Sequence, residues 1–217
     1  MKYYELNKST NSKEIGVYPQ AGLNLNHNKA DANSPTKLRP LNLPEFNPNF
    51  DDLVIDTNAK HTDYISNGLS TYGMFLSKRM YDILSDFKID NHKIYKLNIQ
   101  NSKYQYLYLH FGPTQILRTI DYPNSEFKID EFGFEKERIK LSSFNEYESK
   151  KIEVNTMSVI KAVKLTLKNK PMNDLFIIPF LDGNIYVNEQ ISEKLKAMNI
   201  SGINLKTSEL TISESSR

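Results

Sequence analysis

The feature that most constrains this chain is a repeat. The stretches "YGMFLSKRMYDILSDFKI" at residues 72–89 and "GNIYVNEQISEKLKAMNI" at residues 183–200 follow one plan. Each reads as a short apolar strand, a capping residue and an amphipathic helix. Met74, Phe75 and Leu76 make the first strand; Ile185, Tyr186 and Val187 make the second. Ser77 and Asn188 sit where an N-cap belongs, with a side-chain oxygen able to accept from the exposed amides of the first helical turn. Met80, Ile83, Leu84 and Phe87 then fall at helical spacing and predict a helix of about three turns. Ile191, Leu195 and Met198 form the matching stripe. Asn188 follows Ser77, Leu195 follows Leu84 and Ile200 follows Ile89, each by 111 positions. "HKIYKLNI" and "GINLK" close the two units as strands. The spacing predicts a duplicated strand–helix–strand unit, around 72–97 and 183–206, and not a solenoid, which needs three or more shorter repeats.

The rest of the chain is mostly extended. "KYYEL" has the aromatic bias of a strand. In residues 7–50, Pro19, Pro35, Pro40, Pro44 and Pro48 stand too close together for helix. So long a stretch is not expected to be structureless, which predicts a segment wrapped over the body and held by Leu23, Leu25, Leu38, Leu41, Leu43 and Phe46. "DDLVID" reads as a short strand. "KYQYLYLHF" alternates strictly, with Tyr104, Tyr106, Tyr108 and His110 on one face and Leu107, Leu109 and Phe111 on the other. "QILRTIDY", "EFKIDEFGF" and "ERIKLSS" also read as strands, and Ser143 can cap a polar helix from Phe144. "IKAVKLTLK" alternates again. "DLFIIPFL" is continuously apolar, as a strand buried on both faces would be. "SELTISESSR" predicts one short strand and then a disordered end. The expected class is α+β: mixed, mostly antiparallel sheets with few helices packed on one side of each. A single domain over 1–217 is expected, in two packed halves (about 1–125 and 126–210) with a tail at 211–217.

Composition narrows the chemistry. A chain of 217 residues without cysteine has ample core without staples, and disulfides, zinc–thiolate sites and cysteine nucleophiles are excluded. "MKYYELNKSTNSKE" has no apolar h-region, and no apolar run approaches the roughly 18 residues that span a bilayer. A cytoplasmic protein with no membrane partner is expected. A net charge of +2 gives no overall nucleic-acid footprint. Locally, Glu45, Asp51, Asp52, Asp56 and Asp63 against Lys60 make residues 45–63 acidic, at −4. The first forty residues sum to +3. Both read as solvated loop surface, or in the acidic case as a loop that faces a basic partner.

No motif carries chemistry. His27, His61, His92 and His110 do not fall at metal-ligand spacing, and there is no phosphate-binding glycine loop or nucleophile elbow. Asp51 and Asp52, like Asp130 and Glu131, are adjacent residues that a strand points to opposite faces, so they make poor catalytic pairs. His110 reads as a sheet histidine or as a general base. The Tyr104, Tyr106 and Tyr108 stripe reads as a sheet face or as a platform for single-stranded bases. No catalytic residue, cofactor or metal is expected.

A resemblance adds to this reading. "MKYYEL", "IGVYPQ", "FLSKRMYDIL", "YLYLHF", "IDYPNSEF" and "DLFIIPFLDGNIYVNEQISEKLKAMNISGINL" resemble bacterial polymorphic-toxin immunity family eleven. Ser77 keeps the serine of the first unit, Asn188 stands where serine is usual in the second, and Gly202 keeps the closing glycine. Asp121 and Ser125 fit the family's Asp–spacer–Ser element. The resemblance implies a non-enzymatic protein that binds the toxic domain of a cognate secreted toxin one-to-one and blocks it. Of the acidic loop, Phe46, Phe50, Asp51, Asp52 and Asp56 are the expected partner-binding residues. A hydrolase or nuclease acting through His110, or a nucleic-acid-binding regulator, are the other readings.

Overall fold

The structure, a computed structural model, describes residues 2–69, 72–99, 102 and 104–213. The elements run β1 (Tyr3–Lys8), α1 (Ser12–Ile15), β2 (Ala21–Leu23), β3 (Leu53–Ile55), β4 (Tyr64–Ile65), β5 (Gly73–Ser77), α2 (Lys78–Leu84), β6 (His92–Leu97) and β7 (Tyr106–Phe111). Then come β8 (Glu126–Glu131), β9 (Phe134–Ile139), α3 (Phe144–Glu153), β10 (Ser158–Lys164), β11 (Thr166–Leu167) and β12 (Leu175–Ile177). The chain closes with β13 (Ile185–Asn188), α4 (Glu189–Ala197), β14 (Ile203–Thr207) and β15 (Thr211–Ile212). The fold is α+β, and the pairings between these strands are antiparallel apart from β11 with β15.

Two four-stranded sheets carry the repeat, in the orders β4-β5-β7-β6 and β12-β13-β1-β14. Tyr64 pairs with Leu76 as Leu175 pairs with Val187, so the 111-residue offset reaches back to the strand before each unit. Ser77 accepts from the Met80 amide at 3.1 Å, and Asn188 Oδ1 accepts from the Ile191 amide at 2.9 Å. Both expected caps are present. The central strands come from different places. β7 follows β6 along the chain, whereas β1 is drawn from the beginning of the chain. Tyr106 stands opposite Ser77 just as Tyr3 stands opposite Asn188. The second unit is thus a circular permutation of the first, and β1 lies across the division expected near residue 125.

The units hold each other reciprocally. Asp63, just before β4, accepts from the Ser201 amide (3.0 Å) and hydroxyl (2.9 Å) beyond α4, and from the Ser77 hydroxyl (2.7 Å). Asp174, its counterpart before β12, accepts from the Lys88 amide beyond α2 (3.0 Å) and from Asn188 Nδ2 (2.8 Å). Each aspartate ties its own helix cap to the segment that follows the other helix. Asp63 is therefore buried structure and not part of a solvated acidic loop.

Alternation in the strands sends side chains to three cores. Met74, Leu76, Met80, Leu84 and Leu109 of the first unit meet Ile185, Val187, Ile191, Leu195 and Leu6 of the second in the shared core. The other face of the first sheet, with Phe75, Tyr95, Tyr106 and Tyr108, is covered by Ala21, Leu38, Phe50 and Leu53 of the wrapped N-terminal segment. The other face of the second sheet, with Tyr3, Phe176 and Tyr186, packs on Phe127, Ile160 and Tyr147 of the β8, β10 and α3 region. Both repeat sheets are buried on both faces, which is why "DLFIIPFL" and "YLYLHF" are so apolar or aromatic.

Several expectations are corrected. The first repeat helix spans seven residues, nearer two turns than three, because Ser85 turns its hydroxyl back onto the Asp82 carbonyl at 2.9 Å. Met198 is half exposed beyond the end of α4. "QILRTIDY" is not a strand. Ile116–Thr119 forms a 3-10 turn, closed by Thr119 donating to the Ile116 carbonyl at 2.7 Å. Leu25 is fully exposed and anchors nothing. Ser143 does cap α3, accepting from the Glu146 amide at 3.2 Å. Lys103 of the alternating stretch and residues 214–217 of the expected tail lie outside the described residues. Among the described residues no helix is long and apolar enough to cross a membrane.

Candidate functional site

His110 lies on β7 and is 0% exposed. Its Nε2 donates to the Asn42 carbonyl at 2.9 Å, which leaves Nδ1 to accept from the Tyr108 hydroxyl at 2.9 Å. Burial lowers its pKa, in keeping with this neutral, fully bonded imidazole. Tyr106 and Tyr108 are sealed beneath Phe50 and Leu38, so their rings offer no stacking surface. These residues act as scaffold.

The expected partner-binding residues divide. Phe50 is 3% exposed and packs edge-on against Phe75 and close to Tyr108. It belongs to the core, where it seals the tyrosine face, so of the expected partner-binding residues it is the buried one. Phe46 packs partly buried at the edge of the same core. Asp51, Asp52 and Asp56 are at the surface. Asp51 accepts from Asn98 at 2.9 Å, Asp52 faces His27 Nδ1 at 2.7 Å, and Asp56 accepts from the Asn58 amide at 2.8 Å.

Sequence reasoning passed over a pair of exposed phenylalanines. β8 and β9 form a hairpin whose two-residue turn, Phe132 and Gly133, has positive φ at both positions (54° and 88°). That is the turn that matches strand twist, and Gly133 is the residue type it favours. Phe132 is 74% exposed and Phe134 78% exposed. Glu131 pairs with Phe134 on one side and Ser158 on the other, which places exposed Met157 at the same end of this sheet. Along β9, Lys136 meets Glu131 at 2.8 Å and Arg138 meets Glu135 at 2.6 Å, so the open edge is charged and the tip apolar.

A second missed group is Asp182, which lines a small cleft of about 190 Å³ with Glu5, Tyr186 and Lys206. Burial pushes its carboxyl up to about 6, against the Tyr186 hydroxyl and the Asn184 amide that both donate to it. A raised carboxyl holds its proton more tightly in the native than in the unfolded state. Stability should therefore fall as pH rises from about 4 to about 6 and stay lower above that. With partial exposure discounted, the effect is roughly 1–2 kcal/mol. Asp182→Asn is expected to raise the melting temperature at pH 7.5 and to flatten that slope; calorimetry from pH 4 to pH 8 checks it.

Compared with models of known protein families and with curated proteins, the chain matches neither.

Proposed function

We propose that this chain is a non-enzymatic inhibitor that binds the toxic domain of a cognate bacterial toxin and blocks it by occlusion, inside the cell that makes the toxin. The sequence resemblance supplies the class of partner. The observation that carries the reading is the hairpin tip: two phenylalanines held out to solvent by a tight turn on a three-stranded sheet. Exposed aromatics on a pre-organised element lose little entropy on docking, and their burial is where interface energy concentrates. The acidic loop with Asp51, Asp52 and Asp56 contributes charge, which chiefly raises the association rate. A hydrolase acting through His110, or a regulator stacking bases on Tyr106 and Tyr108, would have to work through side chains sealed in the core, with Tyr104 alone of the stripe partly open.

The test is co-expression with the candidate toxin domain encoded by the adjacent gene, followed by co-purification and a growth assay. A one-to-one complex that rescues growth is expected. Phe132→Ser with Phe134→Ser should weaken binding by several hundredfold, since each anchor contributes about 2 kcal/mol, with little change in melting temperature. Asp51→Lys with Asp52→Lys should slow association most at low salt. Rescue without a complex would sink occlusion as the mechanism, and failure of both would sink the partner class.

A further inference from the structure

A cleft of about 450 Å³ opens where the two repeat units meet, and the repeat itself explains the opening. The strand registers make Leu6 the counterpart of Leu109 and Lys8 the counterpart of Phe111. Leu6 and Leu109 both stand in the shared core, and Phe111 of the first unit is fully buried there. The 111-residue offset likewise makes Gly183 the counterpart of Tyr72. Two aromatic rings of the first unit are thus replaced by an amine and a hydrogen atom in the second. Lys8 and Gly183 both line the resulting space, and the Tyr72 ring crosses from the first unit to stand 3.5 Å from where a Gly183 Cβ would be.

What lines the cleft is chemically one-sided. Lys8 is the one charged side chain among its described lining residues. No described carboxylate or carbonyl bonds its amine, and burial lowers its pKa. Tyr64 is 2% exposed, yet its hydroxyl makes no hydrogen bond to a described residue. A half-buried ammonium and a cleft-lining phenol, neither with a described partner, are groups that a ligand in the cleft can complete. Asn184 and the phenol of Tyr18 add further polar groups, while Ile177 and Ile185 are apolar. The volume falls in the range of small-molecule sites.

We propose that this cleft binds a small organic oxyanion, a carboxylate or phosphate group on an apolar or aromatic body, with Lys8 as counter-ion and the Tyr64 hydroxyl as second donor. The site is independent of the hairpin tip and of any toxin. It is tested on the whole protein by calorimetry and two-dimensional NMR with benzoate and phenyl phosphate as probes and benzyl alcohol as the uncharged control. Acetate and inorganic phosphate report on the head group alone.

Saturable binding of benzoate or phenyl phosphate is expected, at least tenfold tighter than benzyl alcohol, with shifts at β1 and the 182–185 turn. Lys8→Met should weaken it tenfold or more, and Tyr64→Phe by about three- to tenfold. Because Lys8→Met removes a half-buried charge without a described partner, its melting temperature should hold or rise, so lost binding is not lost folding. Absence of saturable binding by both aromatic probes overturns the proposal. So does undiminished binding in Lys8→Met, and so does a marked drop in its melting temperature, which would make Lys8 part of the scaffold.

Discussion

A chain lacking residues 2–8 is expected not to fold, and a peptide of residues 2–10 added in trans is expected to restore it. β1 is the central strand of the second repeat sheet, paired with β13 on one side and with β14 along Tyr4 to Lys8 on the other. Its loss exposes two strand edges inside the molecule. It also removes Leu6 from the shared core and Tyr3 from the core on the other face. Truncating such residues costs about 2–5 kcal/mol each, and the unpaired ladder adds more, against a total stability of only about 5–15 kcal/mol. Because the second unit is a permuted copy of the first, the peptide supplies what β7 supplies in cis. Far-UV circular dichroism and amide NMR read both outcomes. A truncated chain that melts cooperatively within a few degrees of the full one would overturn the permuted-unit description.

The duplication was legible in the sequence and the permutation was not, for a physical reason. Caps and apolar stripes are local, so Ser77 and Asn188 with their helices could be read from a dozen residues each. Strand pairing is not local. Nothing in "YYELNK" says that it pairs with residues more than 170 positions away rather than with its neighbours. The offset between Asp63 and Asp174 was present in the sequence too, but Asp63 read as part of an acidic loop and Asp174 as the start of an apolar strand until the chain beyond the opposite helix was seen to bond to each. The surface was hardest to read. Phe50 and Phe132 are both phenylalanines beside turn residues, and their burial is decided by what the wrapped segment covers. Lys8 reads as one more basic residue of the wrapped segment until its counterpart is found to be Phe111.

Asp63→Ala is expected to destabilise the protein by about 4 kcal/mol, and Asp174→Ala by only about 1–2 kcal/mol, although the two residues occupy equivalent places in the repeat. The difference is burial. Asp63 is 3% exposed and collects the Ser77 hydroxyl, the Ser201 amide and the Ser201 hydroxyl, with Arg79 Nη1 at 3.4 Å on the outer side. Removing it strands the buried Ser77 hydroxyl and two half-buried donors of Ser201, and each unsatisfied donor costs about 1–3 kcal/mol. It also loosens the Ser77 rotamer that caps α2, since that hydroxyl donates to Asp63 while accepting from Met80. Asp174 is half-buried, so water can replace it at the Lys88 amide, which is itself at the surface. Asp63→Asn should fall between the two, because one amide oxygen keeps the shape but the amide nitrogen faces other donors. Urea denaturation of the three variants, with unchanged dependence on denaturant, checks the order. Equal losses for Asp63→Ala and Asp174→Ala would show that the two ties act as one symmetric clamp, and that burial does not set their strength.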